Sequence, residues 1–364
     1  MLRATSSQSA HILITGGAGF IGANLAAHLL AATDARITIF DNLSHPGAEL
    51  NLEWLRSQAR ASRLRFLRGD VCSAIRINEA VREVDEIYHL AARCEVPSRA
   101  REDFDVNATG TLNVLEASRC SPRTPMVIYV STAKVYSGVN NIPVKHIGRR
   151  YVPANPAFRG ISERMPVNLD FPYTSSMGAA DRYVLDYSRL YNLPTVVLRP
   201  DTVAGPRQFE NQGHGWVAHF VYYVLAGYPI TVYGNGLQVR DVLHVSDLVG
   251  ALTAARDYRG VTSGNAYNLG GGIFSSVSVN EMISLIERVC YRSARVQYAP
   301  ARPGDRPFYV ADTAMFRADT AWVAHRSLEQ TVRNIAAFWH ANQAHIRNPI
   351  ALPSPLTISL PNAA

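Results

Sequence analysis

Lysine is nearly absent from this chain. Of 36 basic residues among 364, two are lysines, Lys134 and Lys145, and all the others are arginines. A coding preference for arginine accounts for that imbalance over a surface. The arginines are scattered and no basic run is interleaved with aromatics, so the formal charge of +7 does not describe a nucleic-acid-binding protein. A positive cleft for an anionic metabolite fits the same charge. Cysteine is also scarce: Cys72, Cys94, Cys120 and Cys290 lie far apart with no CxxC pair, which excludes a zinc knuckle or a small disulfide scaffold and leaves reduced thiols. No His/Cys/Asp/Glu spacing suggests a metal site. No uninterrupted apolar stretch reaches spanning length, and MLRATSSQSA has no apolar core of the kind a signal peptide needs, so a soluble cytoplasmic protein is expected.

What is present is the balance of a folded globular chain, 47% hydrophobic and 18% charged, long enough for a large domain with a smaller one attached. From His11 the sequence alternates short β-branched runs with amphipathic stretches. HILITGG, ITIFDN, LRFLRGD, EIYHLAA and MVIYVST read as strands, with helices through Leu30, near Leu52, near Val81 and across Leu112 to Ala117. That rhythm predicts an α/β doubly wound parallel sheet covered by helices on both faces. TVVLRPDTV and NAYNLGG add later strands, separated by segments that break the rhythm and form a second lobe. The stretch 140–172, rich in Pro, Gly and Arg, reads as a loop excursion. No internal repeat or heptad is present.

ILITGGAGFIGANL sets Gly16, Gly19 and Gly22 between a predicted strand and a helix beginning near Phe20. Glycines serve where the chain turns tightly and a pyrophosphate approaches the backbone, and the helix start adds unpaired N–H groups. The next strand ends in Asp41, whose carboxylate can accept hydrogen bonds from both adenosine ribose hydroxyls and repels a 2′-phosphate. The pattern therefore predicts NAD rather than NADP.

TGGAGFIG, the Gly69–Asp70 pair, HLAA at His89 to Ala92, Asn107 and a later tyrosine together resemble the extended short-chain dehydrogenase/reductase family. Within it, DNLSHPGAELNLEWL, GPRQFENQGHGW and QVRDVLHVSDL look like the branch that epimerises CDP-linked deoxyhexoses, over roughly residues 11 to 340. The resemblance implies a Rossmann NAD-binding domain over 11–200, rejoined by 237–272. It also implies a smaller C-terminal substrate-binding lobe from 201–236 and 273–345, with 346–364 as a Pro-rich tail. It further implies that Phe20, Ile21, Asn42, Leu90 and Asn107 contribute to the cofactor site. Asp70 and Val71 would lie along the adenine, and Ala91 and Ala92 along the cofactor's sugar and phosphates.

In that family a Ser or Thr, a Tyr and a Lys four residues after the Tyr carry the chemistry. The tyrosinate takes a sugar hydroxyl proton while carbon gives hydride to nicotinamide, and the lysine favours the phenolate and binds the ribose. Thr132, in YVSTAKVYSG, and Tyr173, in FPYTSSMGAADRY, match. At the lysine position stands Met177, and no Tyr-x-x-x-Lys occurs anywhere in the chain. Arg182 falls on the opposite face of the helix. A unit charge about 5 Å from a phenolate, at an effective dielectric near 20, is worth roughly 3 kcal/mol, or about two pKa units. Three readings follow: a laboratory replacement in an active epimerase, natural divergence towards a slower or different reaction or binding alone, or activation of Tyr173 by NAD⁺ and Thr132. Ala133, Ser137 and Ala204 also depart from the family pattern and favour divergence.

By the same resemblance Arg207, Gln208, Gln212 and Trp216, with Arg240 and Arg302, would hold a nucleoside-diphosphate sugar, CDP-linked, with the two last arginines at its pyrophosphate. His214, His219 and His244 read as ordinary polar residues. The expected reaction is epimerisation at sugar carbon 2 on tightly retained NAD, in a homo-oligomer that binds neither nucleic acid nor membrane. A silent NAD-binding homologue and another sugar-nucleotide reaction, such as dehydration or decarboxylation, are the alternatives. The lack of an acidic residue beside Thr132 argues against dehydration.

Overall fold

A computed structural model describes residues 9–58, 60–94, 99–136, 142–209, 215–302 and 304–342. Gln212, His214 and the segment 346–364 lie outside them. Seven parallel strands form the central sheet in the order Ala266–Leu269, Thr195–Pro200, Met126–Val130, Glu86–His89, His11–Thr15, Arg36–Asp41, Leu64–Arg68. The inner strands Met126–Val130 and Thr195–Pro200 are buried at every position, as expected for strands covered on both faces. Helix Phe20–Ala32 and helix Val245–Asp257 bury Leu25, Leu29, Leu248 and Leu252 in the apolar layer on one face. Helices Ala74–Val81, Gly110–Cys120 and Pro172–Tyr191 bury Ile77, Val114, Leu115 and Val184 in the layer on the other.

The first strand lies between the second and the fourth, so the chain leaves it to both sides and opens a crevice at the carboxyl ends of the strands. The first helix begins at Phe20, with Gly19 as its cap, where the glycine spacing predicts it.

A third apolar cluster belongs to the smaller lobe, where helices Trp216–Ala226, Val279–Cys290 and Leu328–Ala341 pack Val221, Ile286, Ile335 and Trp339 together. Strand Val239–His244 joins Thr202–Ala204 and Ser276–Ser278 in a small sheet, while Ala266–Leu269 extends the main one. The segment read as a loop over 140–172 contains an antiparallel hairpin, Val144–Ile147 with Arg150–Pro153. Its residues are half-buried or exposed, with Lys145, His146 and Arg150 mixed among Val144, Ile147, Tyr151 and Val152, so no regular apolar alternation marks it. It is held instead by Tyr151 N–H on the Leu237 carbonyl and by Arg150 on Ser276.

The helix Pro172–Tyr191 is fixed to the sheet by a buried ion pair. Arg199 donates to both oxygens of Asp181, at 2.8 and 2.6 Å, and to the Tyr136 hydroxyl. Removing one partner of such a pair strands a buried charge, at a cost of about 3–5 kcal/mol. The pair therefore sets where Tyr173, near the start of the same helix, stands.

Candidate active site

At the crevice the glycine turn is shaped by steric necessity. Gly16 has φ +66°, and a Cβ there would stand 2.7 Å from the Ala91 nitrogen, while one on Gly22 would stand 2.4 Å from the Gly16 carbonyl oxygen. Only glycine allows this approach, and the N–H groups of the following helix start have no side-chain cap. This cradle fits a dinucleotide pyrophosphate.

Asp41 ends its strand with one oxygen accepting from Ala18 N–H at 3.0 Å and the other from Leu43 N–H at 2.8 Å. Burial raises its pKa against those two hydrogen bonds. The carboxylate thus holds the glycine turn, and lone pairs remain on both oxygens. Asn42 donates to Asp70, which also accepts from Cys72 N–H. Val71 is buried against Gly110.

One cleft of about 440 Å³ runs from this turn to the smaller lobe. Gly16, Gly19, Phe20, Ile21, Gly22, Leu90 and Ala92 line one end, and Thr132, Tyr173 and Met177 stand together further along. Gln208, Trp216, Arg240 and Arg302 line the lobe side. Thr132 caps a short 3₁₀ turn, its Oγ1 accepting from Lys134 N–H. Tyr173 follows Pro172, which opens the helix. Burial pushes its phenol above the ordinary value, helped by Cys94 and Asp103, while a hydrogen bond with Thr132 acts the other way. Met177 is buried with its sulfur 3.6 Å from the Tyr129 hydroxyl, which points its proton at it.

Other expected contacts fall elsewhere. Asn107 is buried and saturated: its side chain bonds both the N–H and the carbonyl of Arg93, and donates to Ser176, whose own hydroxyl donates to the Tyr173 carbonyl. It ties the segment after the fourth strand to the tyrosine helix. Arg207 does not line the cleft. Its guanidinium lies 3.9 Å from the Trp54 ring centroid and 5.3 Å from that of Phe338, and burial lowers its pKa to about 10. Its left-handed backbone, φ +72°, turns the side chain that way. Arg240 is ion-paired with Asp305 and Arg302 sits 3.8 Å from the Tyr233 ring centroid.

The cleft also gathers residues that sequence motifs did not single out: Lys134, His219, Tyr223, Tyr233, and Arg306 paired with Asp201 at 2.7 Å. His219 reads from sequence as an ordinary polar residue, yet it lines the cleft and burial lowers its pKa to about 4. Ser131 Oγ, Gln208 Oε1, Trp216 Nε1 and His219 Nδ1 are buried without a hydrogen-bond partner, and all four residues line this cleft. Each such atom costs about 1–3 kcal/mol unless a ligand or water satisfies it. Among the described residues no His/Cys/Asp/Glu group could hold a metal ion, and no helix is long and apolar enough to cross a membrane.

A glycine-cradled turn at the switch point of a parallel sheet, with a tyrosine and a threonine beside it, defines a dinucleotide-dependent α/β protein of the Rossmann class. The chain belongs to the NAD-dependent epimerase/dehydratase family, whose model matches residues 12–270, and the resemblance to extended short-chain dehydrogenases/reductases holds. It is 34% identical over 334 residues to CDP-paratose 2-epimerase of Salmonella typhi, covering 89% of this chain and 97% of that protein. It is 29% identical over 364 residues to dTDP-glucose 4,6-dehydratase of Neisseria gonorrhoeae, covering 93% and 98%. Among solved structures it matches UDP-glucose 4-epimerase of Thermus thermophilus in complex with NAD, at TM-score 0.75 and 28% identity over 91% of this chain and 99% of that one. It also matches dTDP-glucose 4,6-dehydratase of Bacillus anthracis in complex with NAD, at TM-score 0.76 and 25% identity over 92% and 98%. NAD is the cofactor of this fold and family.

Proposed function

We propose that the protein is a nucleoside-diphosphate-sugar epimerase of the CDP-paratose/CDP-tyvelose 2-epimerase type, acting on a CDP-linked deoxyhexose. The observation that carries this reading is the charge distribution of the cleft. Thr132 and Tyr173 are followed, across the cleft, by Arg240 and Arg302, two guanidinium groups suited to a diphosphate. The residue next to Thr132 is the fully buried Ala133, and among the described residues the carboxylates lining the cleft, Asp201 and Asp305, are each paired with an arginine. Dehydration requires a proton donor for a departing hydroxyl; those carboxylates are committed elsewhere, which favours epimerisation. The 34% identity to a CDP-paratose 2-epimerase supports the CDP-linked sugar.

As tyrosinate, Tyr173 takes the proton of the sugar 2-hydroxyl, and Thr132 hydrogen-bonds that oxygen as it becomes a carbonyl. Bound NAD supplies the acceptor for the hydride of carbon 2 and its return. Between removal and return of the proton the sugar turns to present its other face, while the arginines keep the diphosphate in place. Gly16, Gly19, Gly22 and Asp41 hold the cofactor, with Asp70, Leu90, Ala91 and Ala92 along its length. Exposed Phe104, Tyr183, Leu190 and Tyr191 on and beside the tyrosine helix support a homo-oligomer, and a cytoplasmic location completes the reading.

A second reading, a silent NAD and sugar-nucleotide-binding homologue, is favoured by the uncharged Met177 and by the upward push of burial on Tyr173. Purified protein, with its bound NAD quantified, is to be incubated with CDP-paratose and the product followed by NMR. We expect conversion to the 2-epimer, and a loss of at least 10²-fold in kcat for Tyr173→Phe. Binding of both ligands with no conversion would establish the silent reading.

A further inference from the structure

One of the two lysines of the chain stands in the cleft. Lys134 follows the strand Met126–Val130 and lies in the short 3₁₀ turn capped by Thr132. Its ammonium is 5.6 Å from the ring centroid of Tyr173, and the residue lines the cleft. Among the described residues it makes no ion pair within 4.0 Å, so its charge is not committed to a carboxylate. Of the other positive groups nearby, Arg306 is paired with Asp201 and bonds the Ala133 carbonyl, and Arg240, on the lobe side, is paired with Asp305.

We propose that Lys134 supplies, from the loop after the fifth strand, the positive charge that Tyr173 requires and that residue 177 of its own helix does not provide. Tyr173 and Lys134 then act as a pair, phenolate with ammonium, and Lys134 is a positioning residue that works through the tyrosine. The inference rests on the epimerase reading for its consequence in turnover, though not for its electrostatics.

The groups facing the pair define its titration. Tyr173 is pushed up by burial, with Cys94 and Asp103 adding to that and Thr132 opposing it. Lys134 is pulled down by burial, with Arg306 and Arg240 adding to that and Asp201 and Cys94 opposing it. In the proposed pair, attraction between phenolate and ammonium opposes the effect of burial on each partner. Met177, packed on Tyr129, contributes volume but no charge.

The test places 3-fluorotyrosine at position 173 and follows its ionisation by fluorine NMR in the full NAD-loaded chain, free of the signals of the other tyrosines. Lys134→Gln is expected to raise the ionisation pH at position 173 by about 2 units. Lys134→Arg is expected to leave it near the parent value, and Met177→Lys added to Lys134→Gln to bring it back. The acid limb of the kcat profile should move upward with it in Lys134→Gln. An ionisation pH unchanged between parent and Lys134→Gln, in variants that keep NAD, would overturn the proposal. If Lys134→Gln moves the ionisation while the parent converts no CDP-sugar, the charge assignment stands and the epimerase reading falls. If the sugar is converted and the ionisation does not move, the reverse holds.

Discussion

Gly16 carries a demand that no other residue type meets. Its φ of +66° and the 2.7 Å from a would-be Cβ to the Ala91 nitrogen leave no room for a side chain, because the contact is with backbone and not with a flexible group. Gly16→Ala is therefore expected to cut NAD copurification at least tenfold and to lower Tm, measured by cofactor content and thermal unfolding; full NAD occupancy in the variant would contradict this. The glycine pattern was legible in the sequence because backbone conformation of this kind admits almost one residue type. Arg207 was not: its motif suggested a ligand, but a left-handed backbone and the rings of Trp54 and Phe338 direct its guanidinium away from the cleft. Asn107 likewise carries a conspicuous motif position, and its hydrogen bonds go to Arg93 and Ser176.

Between elements, His89 shows how strand and helix are joined. From the strand Glu86–His89 its Nδ1 meets Thr15 Oγ1 at 2.6 Å on the neighbouring strand, and its Nε2 meets Thr111 Oγ1 at 2.9 Å on the helix Gly110–Cys120. Complete burial lowers its pKa from 6.5 to about 4. The unfolded chain then binds the proton more readily than the native one between those values. The stability owed to neutral His89 is complete above pH 6.5 and declines as pH falls towards 4, by about 3 kcal/mol in all. The Tm of the parent should fall over that window more steeply than that of His89→Gln; parallel curves would show that His89 is not the titrating group. The strands and helices of the main sheet were legible from β-branched runs and apolar spacing, since burial on both faces leaves that imprint. The hairpin Val144–Ile147 with Arg150–Pro153 was not, because it lacks the buried apolar imprint of the main sheet and is held by contacts with Leu237, Ser276 and Asn280, distant in sequence.

At the scale of the molecule, the cleft joins the sheet's carboxyl edge to the smaller lobe, and four buried polar atoms on its walls lack partners. A ligand that satisfies the native state and not the unfolded chain stabilises it by mass action. Protein stripped of NAD should accordingly regain about 2.7 kcal/mol at a hundredfold excess of NAD over Kd, read as a rise of several degrees in Tm. On the proposed placement of Asp41 at the ribose, NADP should give a clearly smaller rise, since a carboxylate there repels a 2′-phosphate; equal shifts would remove Asp41 from that role.

The sequence by itself determined the parallel α/β core, the glycine turn, the acidic residue that ends the second strand, and the pairing of Thr132 with Tyr173, because each depends on local backbone geometry or on spacing within one element. It also determined that position 177 carries no charge. Tertiary structure alone decided which arginines reach the cleft, that His219 lines it, and that Lys134, 39 positions before Tyr173 in the chain, stands over its ring. Charge acts through space at a few ångströms, and only the folding of one strand's loop against another segment's helix brings those atoms within reach.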